Sequence, residues 1–247
     1  YKSTFLIEML TALEEQDVDI VTCGYESYGK YNSKFMIDES FMVYNNELDY
    51  YIETLQNKWL FNQLWNKIYK LEIIKSNNIK FDKSINIGED YKFNLKYLYY
   101  TRSAKYISKD LYLYKITNNG LGFKYRKDNF KEKEDLNNEL KKIYEFYGYN
   151  MEYVACSYIQ AIYSSLNSII DERNTDRFYK KWNYIKNFIN DIELASNLKK
   201  NLNNISNKKY KILGMLLLTK NTFIVYNLLF LASKYNQYNK EKMFNSR

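Results

Sequence analysis

Histidine and proline are both missing from this 247-residue chain. Without histidine there is no imidazole general base, no imidazole metal ligand, and no Ser-His or Cys-His nucleophile pair. Cysteine is nearly absent as well. Cys23 and Cys156 are far apart in apolar segments, which fits buried free thiols in a reducing compartment better than a disulfide or a metal site. Only 7 glycines occur, and none of them builds a phosphate-cradling loop. The nearest candidate, Asn118-Asn119-Gly120-Leu121-Gly122, lacks the following Lys-Ser/Thr and reads first as a turn.

What the chain does have is bulk and aromatic rings. With 46% hydrophobic residues it can bury a sizeable core in one or two domains. The 28 tyrosines accompany an excess of Lys, Asn and Ile that suggests biased coding, so they are not read as a binding signature. Charge is divided unevenly. Residues 1–120 set 15 Lys+Arg against 16 Asp+Glu, whereas residues 121–247 carry 22 against 13, so the net +8 lies wholly in the second half.

The most telling stretch is Ser84-Ile85-Asn86-Ile87-Gly88-Glu89-Asp90. Its alternation predicts a short strand, and the recurrence of Phe93, Tyr97 and Tyr100, widened by Leu95 and Leu98, predicts a helix from Asp90 to Tyr100. Asp90 then sits at or near a helix N-terminus, where free N–H groups and the helix dipole favour a carboxylate able to accept a proton. Gly88 removes the Cβ that would hold a substrate off the backbone. That Asp90 is only an N-cap remains open on these residues.

The order of segments adds to this reading. Leu64-Trp65-Asn66-Lys67-Ile68-Tyr69-Lys70, then Ile79-Lys80-Phe81-Asp82, Ile87-Gly88-Glu89-Asp90, Tyr106-Ile107 and Leu111-Tyr112-Leu113-Tyr114-Lys115 resemble, in sequence and spacing, bacterial family 2 glycosyltransferases of the GT-A fold. Leu6 to Leu13 and Asp17 to Tyr25 resemble the helix and strand that follow the metal motif there. The resemblance covers about residues 1–120. It implies that Asp90 is the general base for an acceptor hydroxyl with Glu89 as its neighbour. Trp65, Asn66 and Lys67 would wall the acceptor pocket beside Gly88. A segment after the family's Tyr-x-Tyr-Arg strand folds over the donor, and Lys115 stands here in place of that Arg, keeping the charge but not the bidentate geometry.

The family's nucleotide-binding first half has no counterpart ahead of Leu6. The chain starts at Tyr1 without an initiator Met, and Asp17-Val18-Asp19 spells the metal motif on what reads as a solvated helix-to-strand turn. The resemblance therefore implies the C-terminal part of a longer enzyme, inactive alone. Binding of its nucleotide-sugar donor, Lys115 apart, and of a divalent metal, Mg or Mn, would lie largely in sequence outside this chain.

Beyond residue 120 the pattern turns helical. Stripes predict helices over Phe130–Tyr147, Met151–Ile170, Phe178–Ile189 and Tyr210–Lys234, with Gly148 as a C-cap and Asp171 to Asn174 as a connection. Phe178, Trp182, Ile185 and Ile189 mark one core face, and Ile159, Ile162, Leu166, Ile169 and Ile170 another. The expected fold class is α/β: an incomplete GT-A sheet with one exposed apolar edge over residues 1–122, then an all-helical domain over 123–247.

In the last helical region Lys220 interrupts two apolar runs. A transmembrane span needs about 20 mostly apolar residues and a central Lys costs about 2.5–3.5 kcal/mol, so a span is disfavoured. A helix pair closing the core is the commoner arrangement. The alternative is a hairpin at the membrane surface, with Lys199, Lys200, Lys208, Lys209 and Lys211 facing anionic lipid while Leu216, Leu217, Phe223 and Phe230 insert shallowly.

Two function classes follow. One is inverting sugar transfer from a nucleotide-sugar to a glycan or lipid-linked acceptor at the cytoplasmic face of a membrane. The other is a non-catalytic basic helical module for an anionic surface or nucleic acid. Lysines interspersed with acids and the lack of RNP, KH or helix-turn-helix patterns argue against nucleic acid, and the ordered motifs favour the transferase.

Overall fold

A computed structural model describes residues 1–29, 32–85, 87–117, 125–127 and 129–245, side chains of 236–245 excepted. The chain divides into two compact units. The first comprises Tyr1–Lys124 with Asn138–Tyr149, and the second Tyr125–Asn137 with Asn150–Arg247. The boundary expected at residues 122 and 123, and the turn at Asn118 to Gly122, lie outside the described residues, as does Asn86.

The first unit is built on a long strand, β1 (Ile20–Gly29), buried over most of its length. Its run Ile20, Val21, Cys23 and Tyr25 reads as apolar on both faces because helices cover the sheet. Beside it in parallel runs β5 (Ser103–Ile116), with a register shift at Cys23 and Gly24. The other edge of β1 is shared by β4 (Lys67–Tyr69) over Ile20 to Thr22 and by β2 (Ser33–Phe35) over Tyr25 to Ser27, both antiparallel. The far edge is β3 (Phe41–Tyr44), antiparallel to β5. A five-stranded open mixed sheet results.

Helix α1 (Phe5–Glu14) lays Phe5, Met9 and Ala12 on Val21, Cys23, Ile107 and Leu111. Helix α2 (Leu48–Asn57) buries Leu48, Tyr51, Ile52 and Leu55, with the Tyr51 hydroxyl 2.6 Å from Thr22 Oγ1. Short α3 (Leu71–Ser76) leads to α4 (Glu89–Leu98). Among the described residues the short outer strands are mostly partly buried or polar, with Tyr44 on β3 exposed, so the apolar edge expected of the sheet is narrow there, and the exposed apolar side chains Leu6, Ile7 and Leu10 form the outer face of α1.

Two local expectations fail near α4. Ser84 lies in a turn, Ile87 in a bend, and Ile85 in no regular element, so no strand forms among the described residues there. Asp82 Oδ1 accepts from both the Ser84 amide, at 2.9 Å, and the Ser84 hydroxyl, at 2.6 Å, and this side-chain turn takes up a donor a ladder would need. Tyr100 lies beyond the helix end and is exposed, so the stripe closes at Tyr97 and Leu98.

In the second unit α6 (Glu152–Ile170) is the central element, burying Ile159, Ile162, Leu166 and Ile169. Helix α5 (Phe130–Tyr147), whose residues from Asn138 onward belong to the first unit, precedes it and ends where expected, at Gly148 with φ 73°. Helix α7 (Phe178–Asn190) contributes Ile185 and Ile189 to the core, but Phe178 is largely exposed and Trp182 only half-buried, so the stripe expected there is narrower. Cys156 is half-buried rather than buried.

Helix α8 (Ile192–Leu202) has no counterpart among the helices expected from the sequence. Asp191 caps it by accepting from the Leu194 amide, and Leu194, Leu198 and Leu202 face the core. The final stretch is two helices, α9 (Lys208–Leu218) and α10 (Thr222–Asn245), broken at Lys220, whose φ is 54°. At Gly214 a Cβ would lie 2.6 Å from Leu202 Cδ2 and 2.9 Å from Ile159 Cδ1, so glycine lets α9 approach this closely. Among the described residues no helix is long and apolar enough to cross a membrane.

Candidate active site

Gly88 caps α4 with φ 89°, a left-handed conformation that a side chain would strain. Glu89 and Asp90 fall in the first turn behind it, so the N-cap is Gly88 and Asp90 is a helical residue. None of the described hydrogen bonds engages the Asp90 carboxylate. Burial, and next the neighbouring Glu89, raise its proton affinity above that of an ordinary aspartate, while Lys67 opposes them. The helix N-terminus alone would favour the ionised form; partial burial works the other way and makes the carboxylate a stronger base.

The helix carrying Asp90 is tied to the segment carrying Trp65 through Asn94. Asn94 Nδ2 donates to the Phe61 carbonyl at 2.7 Å, and Asn94 Oδ1 accepts from the Tyr69 hydroxyl at 2.6 Å. Residues 60–67 are held from the other side by two buried side chains. Asn66 Nδ2 donates to the carbonyls of Cys23 at 3.1 Å and Leu60 at 3.0 Å. Lys67 Nζ donates to Leu60 O at 2.8 Å, Gln63 O at 2.6 Å and Asn66 Oδ1 at 2.9 Å. Burial drives the Lys67 pKa well down, with Cys23 and Asp90 pulling the other way. Burial likewise pushes the Cys23 thiol up to about 12, leaving it inert as a nucleophile at neutral pH.

Asn66 and Lys67 are therefore buried struts of the 60–67 segment. Trp65 alone of the three remains partly accessible. Its ring stacks on Tyr112 at 4.1 Å and on Tyr114 at 5.2 Å, and meets Tyr25 edge-on at 4.8 Å. Lys115 follows on the same strand as the two tyrosines, exposed to solvent.

Asp17 and Asp19 share Lys70, whose Nζ lies 2.6 Å and 3.2 Å from them. Asp17 is exposed as expected of a turn, but Asp19 is buried and accepts from the Arg102 amide at 2.7 Å. Among the described residues no group of three or more acids or cysteines is placed to hold a metal.

The sequence reading does not single out Asn94, and it names Tyr112 and Tyr114 only as the strand leading to Lys115, not as partners of Trp65. A signal exists for both: Asn94 is a polar residue inside the apolar run Phe93 to Leu98, and Tyr112 and Tyr114 alternate with Leu111 and Leu113.

Comparison with solved structures identifies the fold. The chain superposes on S. aureus TarS 1–349 in complex with UDP with a TM-score of 0.56 at 13% identity, covering 94% of this chain and 62% of that one. The fold is a glycosyltransferase fold, in part. TarS 1–349 in complex with UDP-GlcNAc gives a TM-score of 0.52 at 16% identity, over 95% of this chain and 64% of that one. In sequence, the chain is similar to "Putative glycosyltransferase EpsH" of Bacillus subtilis (strain 168), 24% identical over 126 residues, which are 50% of this chain and 37% of the relative. No family model matches. The chain thus spans less than two thirds of the length of these relatives.

Proposed function

We propose that this chain carries the acceptor side of an inverting glycosyltransferase, with Asp90 as the general base. The observation that supports this most is the Asp90 carboxylate itself: first turn of α4, behind a left-handed glycine, unengaged in the described hydrogen bonds and raised in proton affinity. In the proposed step the acceptor O–H gives its proton to Asp90 as its oxygen bonds to the anomeric carbon. The bond from that carbon to the phosphate oxygen breaks, and the nucleoside diphosphate leaves from the opposite face. Glu89 assists by raising the affinity of Asp90 for the proton. Trp65 offers a ring face to an acceptor sugar, and Lys115 offers charge to the donor diphosphate.

A nucleotide-sugar is the proposed donor, and the relatives' complexes with UDP and UDP-GlcNAc make uridine nucleotides the first to test. Given the partial coverage of the relatives, the donor-binding part, and with it any metal ligands, is proposed to lie in sequence beyond this chain, which alone would not turn over.

The acceptor is proposed to be a glycan or a lipid-linked glycan at a cytoplasmic membrane face. Ile212, Met215, Phe223, Leu228, Phe230 and Leu231 on α9 and α10 are exposed, and the lysines of 199–211 precede them. Leu217 is buried in the unit's core and drops out of the inserting set expected from sequence.

The test is sugar transfer from UDP-GlcNAc and other nucleotide-sugars by the complete gene product, wild type against Asp90→Asn. Loss of transfer in the variant is expected. Wild-type turnover would overturn the assignment.

A further inference from the structure

Away from Asp90, the first unit contains a cavity of about 550 Å³ between the 77–83 segment, the second half of α4 and the end of α5. Nothing in the proposed transfer step uses it. Its lining combines lysines that have no acid partner among the described residues with exposed aromatic rings.

The charges can be followed pair by pair. Two acids line the cavity, Asp82 and Glu139. Lys92 Nζ lies 2.8 Å from Asp82 Oδ2 and, together with the Ser84 hydroxyl and amide, holds that carboxyl well below the usual range. Lys142 Nζ lies 3.0 Å from Glu139 Oε1. Lys80, Lys83 and Lys96 line the same space, and among the described residues none of the three has an ion-pair partner. Three unanswered cations around one concavity are mutually repulsive, a cost that a bound anion relieves.

The rings set the shape of the ligand. Phe81 stacks on Phe93 at 4.7 Å yet stays half-exposed, so it is fixed from behind and open towards solvent. Tyr100, just past the end of α4, is also open, and Tyr99 beside it is braced by Phe146 at 4.4 Å. A braced ring with a free face is a platform for the C–H face of a sugar, and a lysine at its rim suits a carboxylate or phosphate on that sugar.

We propose that this cavity binds an anionic saccharide, a sugar chain bearing carboxylate or phosphate groups, at a site separate from Asp90. Such a site would hold a charged glycan through residues that the transfer step does not use. Its occupancy does not depend on whether Asp90 is a base, so binding and transfer can be tested apart.

The test is calorimetric titration of the purified chain with three probes: oligogalacturonate, which has rings and charge; maltohexaose, which has rings alone; and inorganic phosphate, which has charge alone. Oligogalacturonate should bind at least tenfold more tightly than either of the others. The triple variant Lys80→Gln/Lys83→Gln/Lys96→Gln should lose at least tenfold of that affinity, and Tyr100→Ala severalfold. A control triple, Lys58→Gln/Lys131→Gln/Lys186→Gln, removes the same charge elsewhere and should bind as wild type. Circular dichroism confirms folding of each variant. Equal binding of maltohexaose or phosphate, an undiminished pocket triple, a control triple that loses as much, or no binding of oligogalacturonate would each overturn the proposal.

Discussion

Asn94 donates to the Phe61 carbonyl at 2.7 Å, and this bond joins the helix of Asp90 to the loop that leads into Trp65. Asn94→Asp keeps the size and the acceptor for Tyr69 but replaces the donor with a carboxyl oxygen buried against the carbonyls of Phe61, Asn62 and Gln63. A cost of about 1–3 kcal/mol is expected from urea unfolding. In the complete enzyme kcat should fall while Asn94→Gln restores part of it, because the residue positions the base and does not touch substrate. An unchanged unfolding midpoint in Asn94→Asp would mean the bond contributes nothing.

Asp90→Asn should lower transfer by about 10²–10⁴-fold. Its effect on stability has the opposite sign. The folded pKa of Asp90 is raised, so the fold favours the protonated acid, and that contribution is lost as pH rises through the folded pKa. At neutral pH the ionised carboxylate is a burden that the amide lacks, and the Asp90→Asn variant should melt at the same temperature as wild type or higher. Thermal unfolding at pH 7 and pH 4 checks this, since the two proteins should converge on acidification.

Lys67→Met should be costly for the same physical reason that makes the residue unusual. Three acceptors, Leu60 O, Gln63 O and Asn66 Oδ1, would each lose a donor in a site closed to water. About 2–4 kcal/mol of destabilisation is expected, together with faster amide exchange over residues 60–67. A neutral outcome would show that water replaces the ammonium there.

Gly214→Val tests the second unit. The new side chain meets Leu202 and Ile159 at distances below van der Waals contact, and overpacking of about 1–3 kcal/mol is expected by thermal unfolding. Gly148→Ala, where nothing lies within 4 Å of the added Cβ, isolates the cost of a positive φ without a clash.

Membrane attachment should depend on salt. Co-sedimentation with anionic vesicles at low salt is expected to exceed that at high salt or with neutral vesicles, because about 1 kcal/mol per lysine is screened. Phe223→Ser/Phe230→Ser should weaken it at both ionic strengths. Absence from both vesicle types would leave α9 and α10 as core-closing helices only.

The two kinds of region are legible in the sequence because period and composition change together. Alternating strand and helix segments carry the first unit, and 3.6-residue stripes carry α5, α6 and α7 almost to their ends. The sequence is less informative where one side chain overrides pattern. Asp82 folds residues 82–84 into a turn that runs into the stretch from Ser84 onward that alternation alone reads as strand, and the stripe Leu194, Leu198, Leu202 is hidden by the polar residues between. The base candidate is visible because Gly88, Glu89 and Asp90 are contiguous. The struts are not: whether Asn66 and Lys67 point into a cleft or into the interior depends on Cys23, Leu60 and Gln63, whose carbonyls converge on them only in the fold.

The stacking of Trp65 on Tyr112 and Tyr114 gives the molecule an optical signature. Aromatic transitions this close couple, so this trio should contribute a distinct band to the near-ultraviolet dichroism of the chain. A saccharide settling on the free part of the indole would shift that band without any label, and Trp65→Phe would silence it while leaving Trp59 and Trp182 as a constant background.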